Sequence, residues 1–142
     1  MLYFGIPPNL RAVESGSVVN LQTAVMPVTL TWNIQPGRLY TILIYDLDAP
    51  NAIDPVNSPF IHLLHVNIQG QNVKSGDIIA PYIVPDPPLN SGLHTYVADI
   101  FMQTRAFEPI VIQTRDRFPL DWFISQYNLI KVDETRFQTQ KI

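Results

Sequence analysis

Apolar residues run in blocks along this chain, and proline and glycine break the blocks more often than long polar stretches do. From Val28 to Ile34 every second residue is apolar and the ones between are polar, the period of a strand with one wet face. Gln35-Pro36-Gly37-Arg38 follows as a turn, and Leu39 to Tyr45 is apolar nearly throughout. That run predicts a strand covered on both faces, paired antiparallel with the one before it. Phe60 to Ile68 predicts another; at a period of two, His62, Leu64, Val66 and Ile68 share one face and His65 looks the other way. On that pattern the two histidines cannot serve one site. His94 to Gln103 is a long strand with His94 and Tyr96 on one side, and Ser17 to Leu21 and Pro109 to Ile112 are short candidates.

Only one segment carries a helical period. Leu120, Phe123, Ile124 and Tyr127 fall at i, i+3, i+4 and i+7, with Pro119 at the first turn and Asn128 as a stop. Residues 1–16, with Pro7-Pro8, read as an irregular lead-in, and Val132 to Ile142 is too short for a second long helix. The expected fold is mainly β, an antiparallel sandwich with one helix in the C-terminal half, over a single domain spanning residues 1–142.

Composition narrows the function classes. Forty-six per cent of the 142 residues are hydrophobic and 15% charged, enough for a substantial core, and the 13 prolines disfavour long helices. The absence of cysteine removes disulfides, thiolate nucleophiles and Cys-ligated zinc, and fits a reducing, cytoplasmic setting. A net charge of −3 without a basic run argues against nucleic acid. No apolar segment approaches the roughly 20 residues that span a bilayer.

Candidate chemistry begins where the buried strand ends. Asp46 and Asp48 stand two apart in Asp46-Leu47-Asp48-Ala49-Pro50, so in extended backbone both carboxylates face one side before Pro50 closes the ladder. By itself this is also a common turn signal, because Asp side chains bond nearby backbone N–H groups. Trp32 and Trp122 read as packing residues, and Asp99 as either a solvent-facing charge or a buried hydrogen-bonded group.

Taken together, three ordered blocks resemble the phosphatidylethanolamine-binding protein family, which includes Raf kinase inhibitor proteins and plant flowering-time regulators. They are Asp46-Leu47-Asp48-Ala49-Pro50, His62-Leu63-Leu64-His65-Val66-Asn67, and Asp86-Pro87-Pro88 with Gly92-Leu93-His94-Thr95-Tyr96. Pro27, Trp32, Gly37-Arg38-Leu39-Tyr40 and the Phe123–Leu129 segment extend the likeness to about residues 18–138. The chain departs from the pattern at Leu47, where the family has proline, at Thr95 for Arg, at Asp86 for Gly, and at Ile61, a position that often holds His. The resemblance further leads us to expect that the C-terminal helix closing one side of the pocket in animal members is absent after Phe137-Gln138.

The resemblance implies a small anion pocket for phosphate or a phospholipid (phosphoethanolamine) headgroup. Its residues here would be Asp46, Asp48, Phe60, His62, Asp86, Pro87, Pro88, Gly92, His94 and Tyr96, with no catalytic group, cofactor or metal. A histidine held by an Asp could give one N–H to the acid and the other to the anion. The resemblance also implies a signalling partner such as a kinase, and a cis bond at Ser58–Pro59. The alternatives are an interaction domain with a vestigial pocket, favoured by Asp86, Leu47 and Thr95, and a hydrolase using the Asp, His and Tyr groups. No Gly-x-Ser-x-Gly elbow supports the second.

Overall fold

The computed structural model describes residues 1–142. In chain order the elements are β1 (Leu2–Ile6), β2 (Asn9–Ala12), β3 (Ser17–Val18), α1 (Leu21–Ala24), β4 (Val28–Leu30), β5 (Leu39–Asp46), β6 (Phe60–Gln69), β7 (Asp77–Ala80), β8 (His94–Gln103), α2 (Leu120–Gln126) and β9 (Ile130–Thr139). A six-stranded sheet has the order β3-β9-β8-β5-β6-β7 and a three-stranded sheet the order β2-β1-β4. All pairings are antiparallel except β3 with β9. The expected β-rich fold with one substantial helix is what the chain adopts; α1 is a single turn, capped by Asn20, whose side chain accepts from Thr23 N at 2.9 Å.

The central strand β5 is buried on both faces, which is why its sequence reads as a continuous apolar run. Tyr40, Ile42 and Ile44 face the small sheet, joined by Leu2, Phe4, Trp32 and Phe137. Leu43 and Tyr45 face the opposite way, against Phe107, Phe118, Phe123 and Leu129. Each such side chain removed from water contributes about 1.5–3 kcal/mol.

Three expectations are corrected. The lead-in is a hairpin: Leu2 and Phe4 alternate inward and are fully buried, and Pro7-Pro8 lies at its turn. The strand from Val28 stops at Leu30 and pairs with β1, not with β5, whose partners are β6 and β8. Thr31 to Arg38 crosses between the sheets, with Trp32 filling the core and Gln35 N donating to the Tyr40 hydroxyl at 2.8 Å. The C-terminal segment, too short for a second long helix, forms β9, a strand for which no expectation was stated, with Thr135, Phe137 and Thr139 buried at a period of two. Pro109 to Ile112 forms no strand.

Two bulges reset β6. Ile44 pairs with Leu63 but Tyr45 pairs with Ile61, so His62 is an extra residue with no partner opposite. Likewise Tyr40 pairs with Ile68 and Ile42 with His65, leaving one residue more on β6, where Asn67 adopts φ 59°. The shared face expected for His62, Leu64, Val66 and Ile68 therefore does not exist: Leu64 and Val66 join one core cluster and Ile68 the other. Period-two counting fails because each bulge shifts the alternation by one.

Candidate functional site

Asp46 ends β5 between Phe60 of β6 and Tyr96 of β8, its direct partners across the sheet. His94 opens β8. A pocket of about 300 Å³ sits at this corner of the sheet, walled by Ala49-Pro50, Asn57, Phe60, His62, Ile83-Val84, Asp86-Pro87-Pro88, Asp46, His94 and Tyr96. The structure thus brings together Asp46, Phe60, His62, Asp86, Pro87, Pro88, His94 and Tyr96. Ser58–Pro59, in the loop before Phe60, is cis, as are Ala49–Pro50 and Pro7–Pro8.

Asp48 and Gly92 stand outside the wall. The Asp48 carboxylate accepts from Thr95 N at 2.7 Å and so ties the strand exit to β8. The two carboxylates do not share a face, because the chain leaves the extended form after Asp46: Asp46 Oδ1 accepts from Asp48 N at 2.8 Å. Gly92, with φ +87°, shapes the exposed turn before His94.

The other Asp46 oxygen, Oδ2, lies 2.7 Å from His94 Nδ1, and both side chains are almost completely buried. His94 Nε2 is 2.9 Å from Ser91 Oγ, which itself lies 2.7 Å from the Pro88 carbonyl oxygen. When the Ser91 hydroxyl donates to Pro88, both ring nitrogens must donate; when it turns to Nε2, the ring carries its proton on Nδ1 alone. In either state His94 has no N–H left for a ligand. Its expected gift of a second N–H to an anion is therefore replaced by an internal bond to Ser91, a residue whose loop position carries no signal in the sequence.

His62 is placed differently. Its Nδ1 is 2.9 Å from the Ile83 carbonyl oxygen, which can only accept, so Nδ1 holds the proton and Nε2 makes no bond within the chain. Burial pushes the ring's pKa below its ordinary value, against the raising effect of the carbonyl bond and Asp46. The Tyr96 hydroxyl is fully buried and has no hydrogen-bond partner of standard geometry. Burial first, then the charge of the nearby Asp46 carboxylate and the hydroxyl's approach to it, short of a well-formed hydrogen bond, raise its pKa far above the usual phenol range, so it remains a donor. Phe60 and Tyr96 flank the His62 ring edge-on, with centroids at 5.4 and 5.3 Å.

At the rim, Asp86 pairs with Lys141, and the Lys141 carbonyl accepts from Asn90 N at 2.8 Å, fastening the C-terminal segment to the proline loop. Arg115 braces the wall from behind, giving its guanidinium to the carbonyls of Ile61 and Pro81 at 3.1 and 2.8 Å. Neither Lys141 nor Arg115 stands in a recognisable motif. His65 lies outside the wall, paired with Ile42.

The arrangement of a buried Asp–His pair, a second His and an unpartnered tyrosine under a proline wall agrees with the match to the phosphatidylethanolamine-binding protein family model over residues 6–135. The chain belongs to the phosphatidylethanolamine-binding protein family. A 26 kDa secreted antigen of Toxocara canis is 30% identical over 128 residues, 85% of this chain and 48% of that protein, so the chain spans about half the length of this relative. The fold is also that of a carboxypeptidase Y inhibitor solved with its cognate proteinase, with TM-score 0.81 and 20% identity over 99% of this chain and 83% of the other. It matches the phosphatidylethanolamine-binding protein of Plasmodium vivax with TM-score 0.75 and 14% identity, covering 99% and 85% of the two chains.

A larger cavity, about 430 Å³, opens on the far face around α2 and residues 110–119, beneath Trp122, which is 58% exposed and so packs less than expected. No buried ionisable group lines it, whereas the smaller pocket gathers Asp46, His62, His94 and Tyr96. No helix is long and apolar enough to cross a membrane.

Proposed function

We propose that this member of the family is a non-enzymatic binding protein whose pocket takes a phosphate group, free or as part of a phospholipid headgroup. The observation that carries the reading is the buried, unpartnered Tyr96 hydroxyl beside the unengaged His62 Nε2 at the pocket floor. A buried donor without an acceptor is costly, by about 1–3 kcal/mol, and a ligand oxygen relieves it. His62 becomes a second donor by taking up a proton with the anion. Asp46 and His94 serve as the scaffold under these two groups.

Ser91, His94 and Asp46 follow one another in the order of a hydrolytic triad, at 2.9 and 2.7 Å. Ser91, however, is not part of the pocket wall, and its hydroxyl has the Pro88 carbonyl within reach at 2.7 Å. The nucleophile does not face the ligand volume, which supports binding over hydrolysis. A signalling protein such as a kinase is the second kind of partner, docking on the loops around the rim. The lack of cysteine supports a cytoplasmic setting, although the Toxocara canis relative is named as secreted; cell fractionation distinguishes the two.

The test is a two-dimensional NMR titration of the histidine ring signals with inorganic phosphate and with phosphoethanolamine. His62 is expected to move, His94 to follow weakly and His65 to stay still, and Tyr96→Phe to weaken the response about tenfold. His62 signals that hold still up to high millimolar ligand would refute the pocket reading.

A further inference from the structure

The cavity around α2 shares no wall residue with the pocket at the β5/β8 corner. Its volume of about 430 Å³ lies within the range of roughly 300–1,000 Å³ that holds small organic ligands. Ile110, Ile112, Phe118, Trp122, Phe123 and Tyr127 supply the apolar wall. Phe118 and Phe123 are buried and meet edge to face at 5.2 Å, so the core fixes that part of the wall. Trp122 stands at 85° to Tyr127, with centroids 6.3 Å apart, and leaves more than half of its surface uncovered. A flat ring system entering here finds aromatic faces and edges to pack against and removes the indole from water.

The polar groups of the wall are unequal in what they still offer. Asp116 and Arg117 are its two charges. Asp116 accepts from the Thr114 hydroxyl through Oδ1 and lies 3.4 Å from Arg117 Nε through Oδ2, so both its oxygens are engaged. The Arg117 guanidinium has no other partner in the chain, is 73% exposed, and keeps the N–H groups of both terminal nitrogens free. Its backbone is unusual as well. Arg117 holds φ 50°, a conformation in which a residue with a Cβ is strained, and its N–H is pinned to the Asn57 carbonyl oxygen at 3.0 Å. Strain of this kind gathers at binding sites, and here it keeps an arginine where glycine would sit more easily.

We infer that this cavity binds a small aromatic acid. The rings lie against Phe118, Trp122 and Phe123, and the carboxylate or sulfonate accepts two N–H bonds from the planar fork of Arg117. The Asp116 contact competes weakly, because an exposed pair of this kind holds together loosely. A cationic ligand is the poorer fit: the one carboxylate of the wall is already engaged and the one cation is not.

The test uses 8-anilinonaphthalene-1-sulfonate and N-phenyl-1-naphthylamine, which differ only in the sulfonate, with affinities read from dye emission. The sulfonate is expected to bind the wild type about tenfold more tightly, the size of one charge-assisted hydrogen bond. Arg117→Gln should erase the preference by weakening the sulfonate alone, and Arg117→Gly, which relieves the backbone strain, should do the same without loss of stability. Equal affinities on the wild type, or a preference that survives in both variants, would overturn the proposal. The two indole N–H signals, told apart with Trp122→Phe, place the ligand in two-dimensional NMR. Trp122 is expected to shift on addition of the sulfonate while Trp32, buried in the other core cluster, stays still; a still Trp122 signal would put the dye elsewhere and refute the site.

Discussion

His94 Nδ1 and Asp46 Oδ2 stand 2.7 Å apart, bridging the first residue of β8 to the last of β5 with almost no access to water. The pair closes the end of the two central strands and forms the floor on which the pocket is built. Buried pairs of this kind have a lopsided energetics: losing one partner is worse than losing both.

Asp46→Ala is therefore expected to destabilise the protein by about 3–5 kcal/mol, since it strands His94 and also frees the Asp48 N–H. The double substitution Asp46→Leu with His94→Phe should cost less than the sum of Asp46→Leu and His94→Phe measured singly. Urea denaturation of the four proteins gives the coupling; strict additivity would show that the pair holds nothing together.

The far face of the large sheet predicts a pH dependence. Asp99 is fully buried, accepts from the Tyr45 hydroxyl at 2.7 Å, and lies 3.5 Å from Lys131 Nζ. Burial pushes its pKa up to about 6, with the Tyr45 bond opposing. Between an unfolded value of about 4 and about 6, the folded protein keeps a proton that the unfolded chain has released, so stability falls as pH rises through this window. The loss is of the order of 2–3 kcal/mol and complete above it. Glu134 is shifted the other way, partial burial being outweighed by its interactions with Asp99 and then Arg136, so its contribution is lost as pH falls below about 4.5. His62, with its pKa lowered by burial, also loses stability on the acid side of about 6.5. The difference between wild type and Asp99→Asn isolates the Asp99 part: thermal melts from pH 4 to 8 should show the variant gaining on the wild type as pH rises. Parallel curves would contradict this.

Asn67 is expected to be the least replaceable polar residue of β6. Its side chain donates to the Phe107 carbonyl at 3.1 Å and to Asp77 at 2.8 Å, and accepts from Phe107 N at 2.8 Å and Gln103 Nε2 at 2.9 Å. Its φ of 59° suits Asn better than a residue without a local hydrogen-bonding side chain. Asn67→Ala should cost about 3 kcal/mol or more in urea denaturation, through unsatisfied groups on two neighbouring segments; a cost under about 1 kcal/mol would mean water replaces the whole network.

Phosphate should raise the pKa of the His62 ring. The free protein holds it low by burial, and an anion at Nε2 favours the charged form. Following the ring signal against pH with and without phosphate should move its midpoint upward, with proton uptake on binding above the free midpoint; an unchanged midpoint would place the anion elsewhere.

How much of this was legible beforehand depended on distance along the chain. The amino-acid sequence by itself determined the β-rich class, the doubly buried β5 and the α2 stripe, because periodicity is a local quantity; that Asp46, His62, Pro87, Pro88, His94 and Tyr96 belong together was implied only by the resemblance of three ordered motifs to a family, and the fold is what lines one pocket with them. Tertiary structure alone decided the rest. Bulges at His62 and Asn67 reset the faces of β6, and a bulge is defined by the partner strand, here β5. The pairing of β4 with β1 depended on two segments more than 20 residues apart meeting in the smaller sheet. Asp48 was diverted to Thr95, His94 was closed off by Ser91, and Lys141 reached Asp86 across 55 positions. Which of a side chain's few hydrogen-bonding atoms remains free for a ligand is settled only after the packed fold has claimed the others.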